Sequence, residues 1–77
     1  GHVEAMCALG AMCYRGLGGA RDLPRAFYAY QNAALRDHAP AARNLADLYE
    51  RGEGVPPSPE NAAFWRARAE QLEKQAQ

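Results

Sequence analysis

Residues 41–69, AARNLADLYERGEGVPPSPENAAFWRARA, read as a single helical hairpin. Ala41, Leu45, Leu48 and Tyr49 recur at helical spacing, so the first half is an amphipathic helix running from Ala41 to Arg51. Gly52-Glu53-Gly54 stops it, because glycine supplies the left-handed conformation that follows a helix end. Val55-Pro56-Pro57 is an extended linker. Ser58 then caps a second helix, with Pro59 at the first helical position, where its missing N–H is not needed. Ala62, Trp65, Ala69 and Leu72 form the apolar stripe of that helix.

Outward from this stretch, the chain repeats itself. At an offset of 36 residues, identities fall at His2/His38, Ala5/Ala41, Leu9/Leu45, Arg15/Arg51, Gly16/Gly52, Gly18/Gly54, Ala26/Ala62 and Ala33/Ala69. No gap is needed, and Asp22 and Ser58, two good helix caps, stand in the same phase. The first copy parses the same way. Val3 to Arg15 is a helix with Ala5, Leu9 and Met12 as its helical stripe. Gly16-Leu17-Gly18-Gly19 ends it. Asp22 caps the next helix, Pro24 sits in its first turn, and Ala26, Tyr30, Ala33 and Ala34 face inward. The fold class is therefore all-α, an α-α superhelix of two antiparallel helix pairs, with repeat one over 1–37 and repeat two, carrying a capping extension of the last helix, over 38–77.

Composition agrees. Ala accounts for 17 of the 77 residues, and there is no Ile or Thr, which argues strongly against a β-sheet. Alanines at matched positions let helices approach closely. Nine basic and nine acidic residues cancel, so neither a nucleic-acid stripe nor a polybasic membrane patch is present. No run of about 18 apolar residues exists to span a bilayer. Cys7 and Cys13, six residues apart on one helix, are separated by about 9 Å of rise, too far for a disulfide. Free thiols favour a reducing compartment such as the cytoplasm, with the periplasm left open.

The two copies resemble the Sel1-like repeat, a relative of the tetratricopeptide repeat. The residues that carry the likeness are Ala41, Leu45, Tyr49, Gly52, Gly54, Val55, Ala62, Trp65 and Ala69, with Ala5, Leu9, Gly10, Gly16, Gly18, Asp22, Ala26, Tyr30, Ala33 and Ala34 one repeat earlier. Cys13 stands in a tyrosine slot, Ala29 in the tryptophan slot, Ala46 opposite Gly10, and Gly19 in a valine slot. The resemblance implies a right-handed helical stack acting as a non-catalytic scaffold or adaptor for proteins, as in bacterial envelope, secretion and signalling complexes and in eukaryotic quality control. It also implies that Gly1-His2 is a genuine repeat opening.

By analogy with the tetratricopeptide arrangement, the first helix of each pair lines a concave face. Mapped here, that face carries Glu4, Cys7, Ala11 and Tyr14, then Pro40, Arg43, Asp47 and Glu50. The partner-binding residues expected are Glu4, Cys7, Tyr14, Arg43, Asp47 and Glu50, a mixed polar and aromatic stripe suited to a peptide. Arg15 and Arg51, recurring at helix ends, read as favourable charge at a helix C-terminus. The alternative function is a structural or oligomerisation segment with no ligand of its own. Val3, Met6 and Cys7 come without a polar leader, whereas the chain ends on the polar run 70–77. The expectation is a C-terminal piece of a longer array, or self-association through the first helix.

No motif supports catalysis, a cofactor or a metal. Cys7, Cys13, His2 and His38 fit no common zinc spacing. The single serine, Ser58, is explained by its cap. Gly16–Gly19 follows a helix rather than a strand and lacks the Lys-Ser/Thr of a phosphate loop. The proline run 56–59 reads as a repeat linker.

Overall fold

The computed structural model describes residues 2–76. Four helices follow in order: α1 (His2–Arg15), α2 (Leu23–Ala34), α3 (Ala39–Arg51) and α4 (Pro59–Gln75). Among the described residues there is no strand. α2 packs against both α1 and α3, and α3 packs against α4. Short connections make successive helices antiparallel. The chain is thus an all-α stack of two helix pairs, as its periodicity predicts. α3 starts at Ala39 rather than Ala41, because Pro40 is compatible with a first helical turn. Gly1, the expected repeat opening, lies outside the described residues, as does Gln77; His2 is already helical.

The two loops are built by the same hydrogen bonds, one repeat apart. Leu17 N–H donates to the Met12 carbonyl and Glu53 N–H to the Leu48 carbonyl, both at 3.0 Å. These close the turn that a left-handed glycine makes possible, Gly16 at φ +74° and Gly52 at φ +69°. Asp22 N–H then donates to the Cys13 carbonyl at 3.0 Å, and Ser58 N–H to the Tyr49 carbonyl at 2.9 Å. Both expected caps form. Asp22 Oδ1 accepts from Arg25 N–H at 3.1 Å, and Ser58 Oγ accepts from Asn61 N–H at 3.2 Å. Residues 36 apart therefore occupy equivalent places in the fold.

The core is mostly alanine. Ala26, Ala33, Ala41, Ala42 and Ala69 are sealed from solvent, with Leu45 and Leu48 as the largest fully buried side chains. Phe27 and Tyr30 add aromatic bulk from α2, and Phe27 meets Tyr49 of α3 edge to face at 5.4 Å. Where α1 crosses α2, Gly10 is the small residue. A Cβ there would lie 2.8 Å from the Tyr30 ring, so the phenol can lie against the α1 backbone only because Gly10 has none. One repeat on, Ala46 stands at the Gly10 position and Arg66 at the Tyr30 position. A methyl is tolerated there without a flat ring pressed on it.

One expected stripe is not buried. Leu9 and Met12 are 43% and 48% exposed, and Ala5 is exposed as well. Their counterparts Ala41, Leu45 and Leu48 are 0–2% exposed. α1 instead turns Val3, Met6, Gly10 and Cys13 inward. The reason lies in the repeat. α3 has a helix on each side, α2 before it and α4 after it, whereas among the described residues α1 packs closely against α2 only, with a few side-chain contacts to α3. What covers Ala41, Leu45 and Leu48 is the preceding helix. The glycines make the same point. A Cβ on Gly54 would run into the Leu23 carbonyl, while one on Gly18 would meet nothing within 4 Å.

Charged pairs tie α3 to α4 on the surface. Arg43 holds Glu73 through two hydrogen bonds, the Nε–Oε2 one at 2.7 Å. Arg66 reaches Asp47 at 2.9 Å and Glu50 at 3.2 Å. The Arg43 guanidinium holds the Glu73 carboxyl below the usual carboxylate range. A carboxyl with a depressed pKa adds stability above its unfolded value and loses it as pH falls. Glu73→Gln should therefore flatten the fall in stability on acidification through the carboxylate range, while lowering stability slightly at neutral pH, because the pair is exposed. Urea melts across pH check both. Ala33→Leu or Ala69→Leu should overpack the helix contacts and cost about 1–3 kcal/mol, whereas Leu at exposed Ala63 should change stability by less than about 0.5 kcal/mol.

Candidate partner-binding cleft

The first helices of the two pairs, α1 and α3, flank a cleft of about 230 Å³. Its floor is Tyr30 from α2 and Leu48 from α3. One wall is α1, with Ala11, Tyr14 and Arg15; the other is α3, with Asn44, Asp47 and Arg51. The cleft exists because α1 and α3 both lean on α2, and because Ala11 is small where its counterpart one repeat on is Asp47.

Of the expected binding residues, Tyr14 and Asp47 come together here. Tyr14 is held firmly. Its hydroxyl donates to Glu53 Oε1 at 2.9 Å and accepts from Arg51 Nη1 at 3.3 Å. The Arg21 guanidinium lies 4.6 Å from the centre of the Tyr14 ring, donates to the Tyr14 carbonyl at 2.7 Å and to Glu53 Oε2 at 3.2 Å. This network joins the two repeats at the loop end of the cleft. Asp47 is bound by Arg66, as above, which neutralises much of its charge.

The other expected residues sit around the cleft rather than in it. Arg43 points to α4, where its bond to Glu73 holds its pKa above the usual value. Glu50 is exposed and engaged by Arg66. Glu4 is exposed near the start of α1. Cys7 is half-buried against the core, and burial pushes its thiol pKa up, with a side-chain hydrogen bond to Asn44 working the other way. Both Cys7 and Cys13 are free thiols.

Among the cleft residues outside the expected set, the polar ones are Arg15, Tyr30, Asn44 and Arg51. Arg15 and Arg51 do stand in the last turn of their helices, as the helix-end reading requires. They also face the cleft, and their recurrence one repeat apart was the signal available for that. Tyr30 is 5% exposed, and burial raises its phenol pKa, with smaller contributions from Cys7 upward and from the Arg15 guanidinium downward. Its hydroxyl has no hydrogen-bond partner among the described residues, yet no buried side-chain polar atom is left unsatisfied there. The Tyr30 hydroxyl therefore keeps some exposure, and the residue lines the cleft. No signal in the sequence separated Tyr30 or Asn44 from ordinary helix residues.

Among the described residues no helix is long and apolar enough to cross a membrane. A search of curated proteins gives no match. The family model described as Sel1 repeat matches twice, over residues 3–38 and 39–72. Sel1 repeats are non-catalytic helical repeats that generally mediate contacts between proteins. Two consecutive matches spanning nearly the whole chain, on two helix pairs joined by equivalent hydrogen bonds, place this protein in the Sel1 repeat family.

Proposed function

We propose that this chain is a non-catalytic scaffold that holds a partner protein or peptide in the cleft between α1 and α3, with 1–37 and 38–77 as its two repeat units. The observation that supports it most directly is the cleft itself. It is walled by both first helices, lined by aromatic and polar side chains, and held at one end by the Tyr14–Glu53–Arg51 network. Tyr14 and Asp47 form its lining, with Glu4, Cys7, Arg43 and Glu50 as flanking contacts. At about 230 Å³ it is smaller than the roughly 300–1,000 Å³ of small-molecule sites. That size suits one or two anchor side chains of a longer ligand. Peptides selected from a random display library against the chain test the reading. Ala11→Trp fills the cleft, and Asp47→Arg or Arg43→Glu reverses charge in or beside it. Each should weaken the selected peptides by about tenfold or more while leaving the helical circular dichroism melt cooperative. Peptides that bind all three variants as well as the unaltered chain would remove the cleft from the account.

A second reading, self-association through α1, is favoured by the exposed line Ala5, Leu9 and Met12. Head-to-tail stacking of two copies is poorly supported. The residues of α4 one repeat on from Phe27 and Ala34 are Ala63 and Glu70, so α4 lacks the face with which α2 covers α3. The pairing that fits is two-fold, α1 upon α1. Sedimentation at micromolar concentration should then show a dimer that Leu9→Glu dissociates without loss of helix. A cooperative, fully helical monomer at that concentration excludes this reading.

A further inference from the structure

We propose that a pocket on the uncovered side of α1 takes one aromatic side chain, tryptophan in preference to phenylalanine, from an amphipathic helix of another protein. The pocket encloses about 280 Å³ between the end of α1, the first loop and the start of α2, and it shares no residue with the cleft. Leu9, Met12 and Leu17 give it apolar walls, and Cys13 also lines it. All three large side chains are exposed, Leu17 by 58%.

The same site recurs one repeat on, and there it is covered. Leu45, Leu48 and Tyr49 are the counterparts of Leu9, Met12 and Cys13. The two stretches share their backbone geometry, since the Cys13 and Tyr49 carbonyls accept equivalent loop bonds at 3.0 and 2.9 Å. α2 lies over the second copy. Phe27 sets its ring edge to face on Tyr49, and the Leu23 carbonyl closes on Gly54. Phe27 is buried there, as are Leu45 and Leu48. The occupant this fold uses is thus a helix that begins with Leu and carries Phe four residues on. Beside the first copy, the space around Gly18 is open to the approach of such a main chain.

Two differences set what the first copy selects. Cys13 has no ring where Tyr49 has one, so an entering side chain must fill that volume as well as its own, which favours the two rings of Trp. Leu17 stands at the Glu53 position and adds apolar wall in place of a carboxylate. A second copy of this chain offers no such helix. α2 is held between α1 and α3, and α4 carries Ala63 where α2 carries Phe27.

The test uses fluorescein-labelled synthetic peptides of residues 22–35, cross-linked between positions 25 and 32, both exposed in α2, to hold the helix. They are titrated against the whole chain by anisotropy. The parent peptide should bind, and Phe27→Trp within the peptide should strengthen binding about threefold to tenfold. Leu9→Glu and Met12→Glu in the chain, both at exposed positions, should each weaken the Trp peptide about tenfold or more. Cys13→Tyr restores the missing ring and should reverse the preference toward the Phe peptide. Binding that survives both glutamates, no binding by either peptide, a Phe preference in the unaltered chain, or a Trp preference that Cys13→Tyr leaves in place overturns the inference. So does a dimer built on α1 that the Trp peptide fails to dissociate, because a second copy then closes this face.

Discussion

How closely α2 can approach its two neighbours decides the rest of the structure. It touches α1 on one side and α3 on the other, and at both contacts small residues let the backbones approach. Ala26, Ala33 and Ala34 are sealed from solvent on α2, and Gly10 and Ala41 meet it from the flanking helices. Close packing of this kind gains dispersion contacts along the whole helix rather than at a few large side chains. It also explains how a chain with two Phe, one Trp and seven Leu can have a continuous core. Of the large buried residues, Phe27, Tyr30, Leu45 and Leu48 lie on α2 and α3, the two helices that are covered on both sides, while Leu72 lies on α4.

The features read correctly from the sequence are those whose cause is local. A left-handed glycine after a helix and a cap with proline in the next turn each act within a few bonds. Both reappear in the fold at the predicted residues. Periodicity marks Ala5, Leu9 and Met12 as one face of α1 and says nothing of what lies upon it. The same line is covered in α3 by a helix from the neighbouring repeat, and that dependence is not local. Burial in a stacked protein is a property of adjacent units.

The cleft was legible only in part, for a related reason. Position along a helix puts Tyr14 and Asp47 on the mapped face, and both line the cleft. It could not foresee that Arg43 and Glu50 would be engaged by residues of α4, Glu73 and Arg66, 30 and 16 positions away in sequence. Nor could it distinguish a helix-end arginine that only meets backbone carbonyls from one that also lines a cavity. Arg15 and Arg51 do both. Tyr30 is core by area, yet its hydroxyl is not fully closed off and the residue lines the cleft.

Gly54 lies so close to the Leu23 carbonyl that no side chain fits between them. The contact is main chain against main chain, and it holds the second loop close to the start of α2. The spacing of the two hairpins at that point is set by atoms that every amino acid shares, while the lining of the cleft is set by atoms that differ from one amino acid to the next. The cleft can be relined residue by residue without disturbing that spacing.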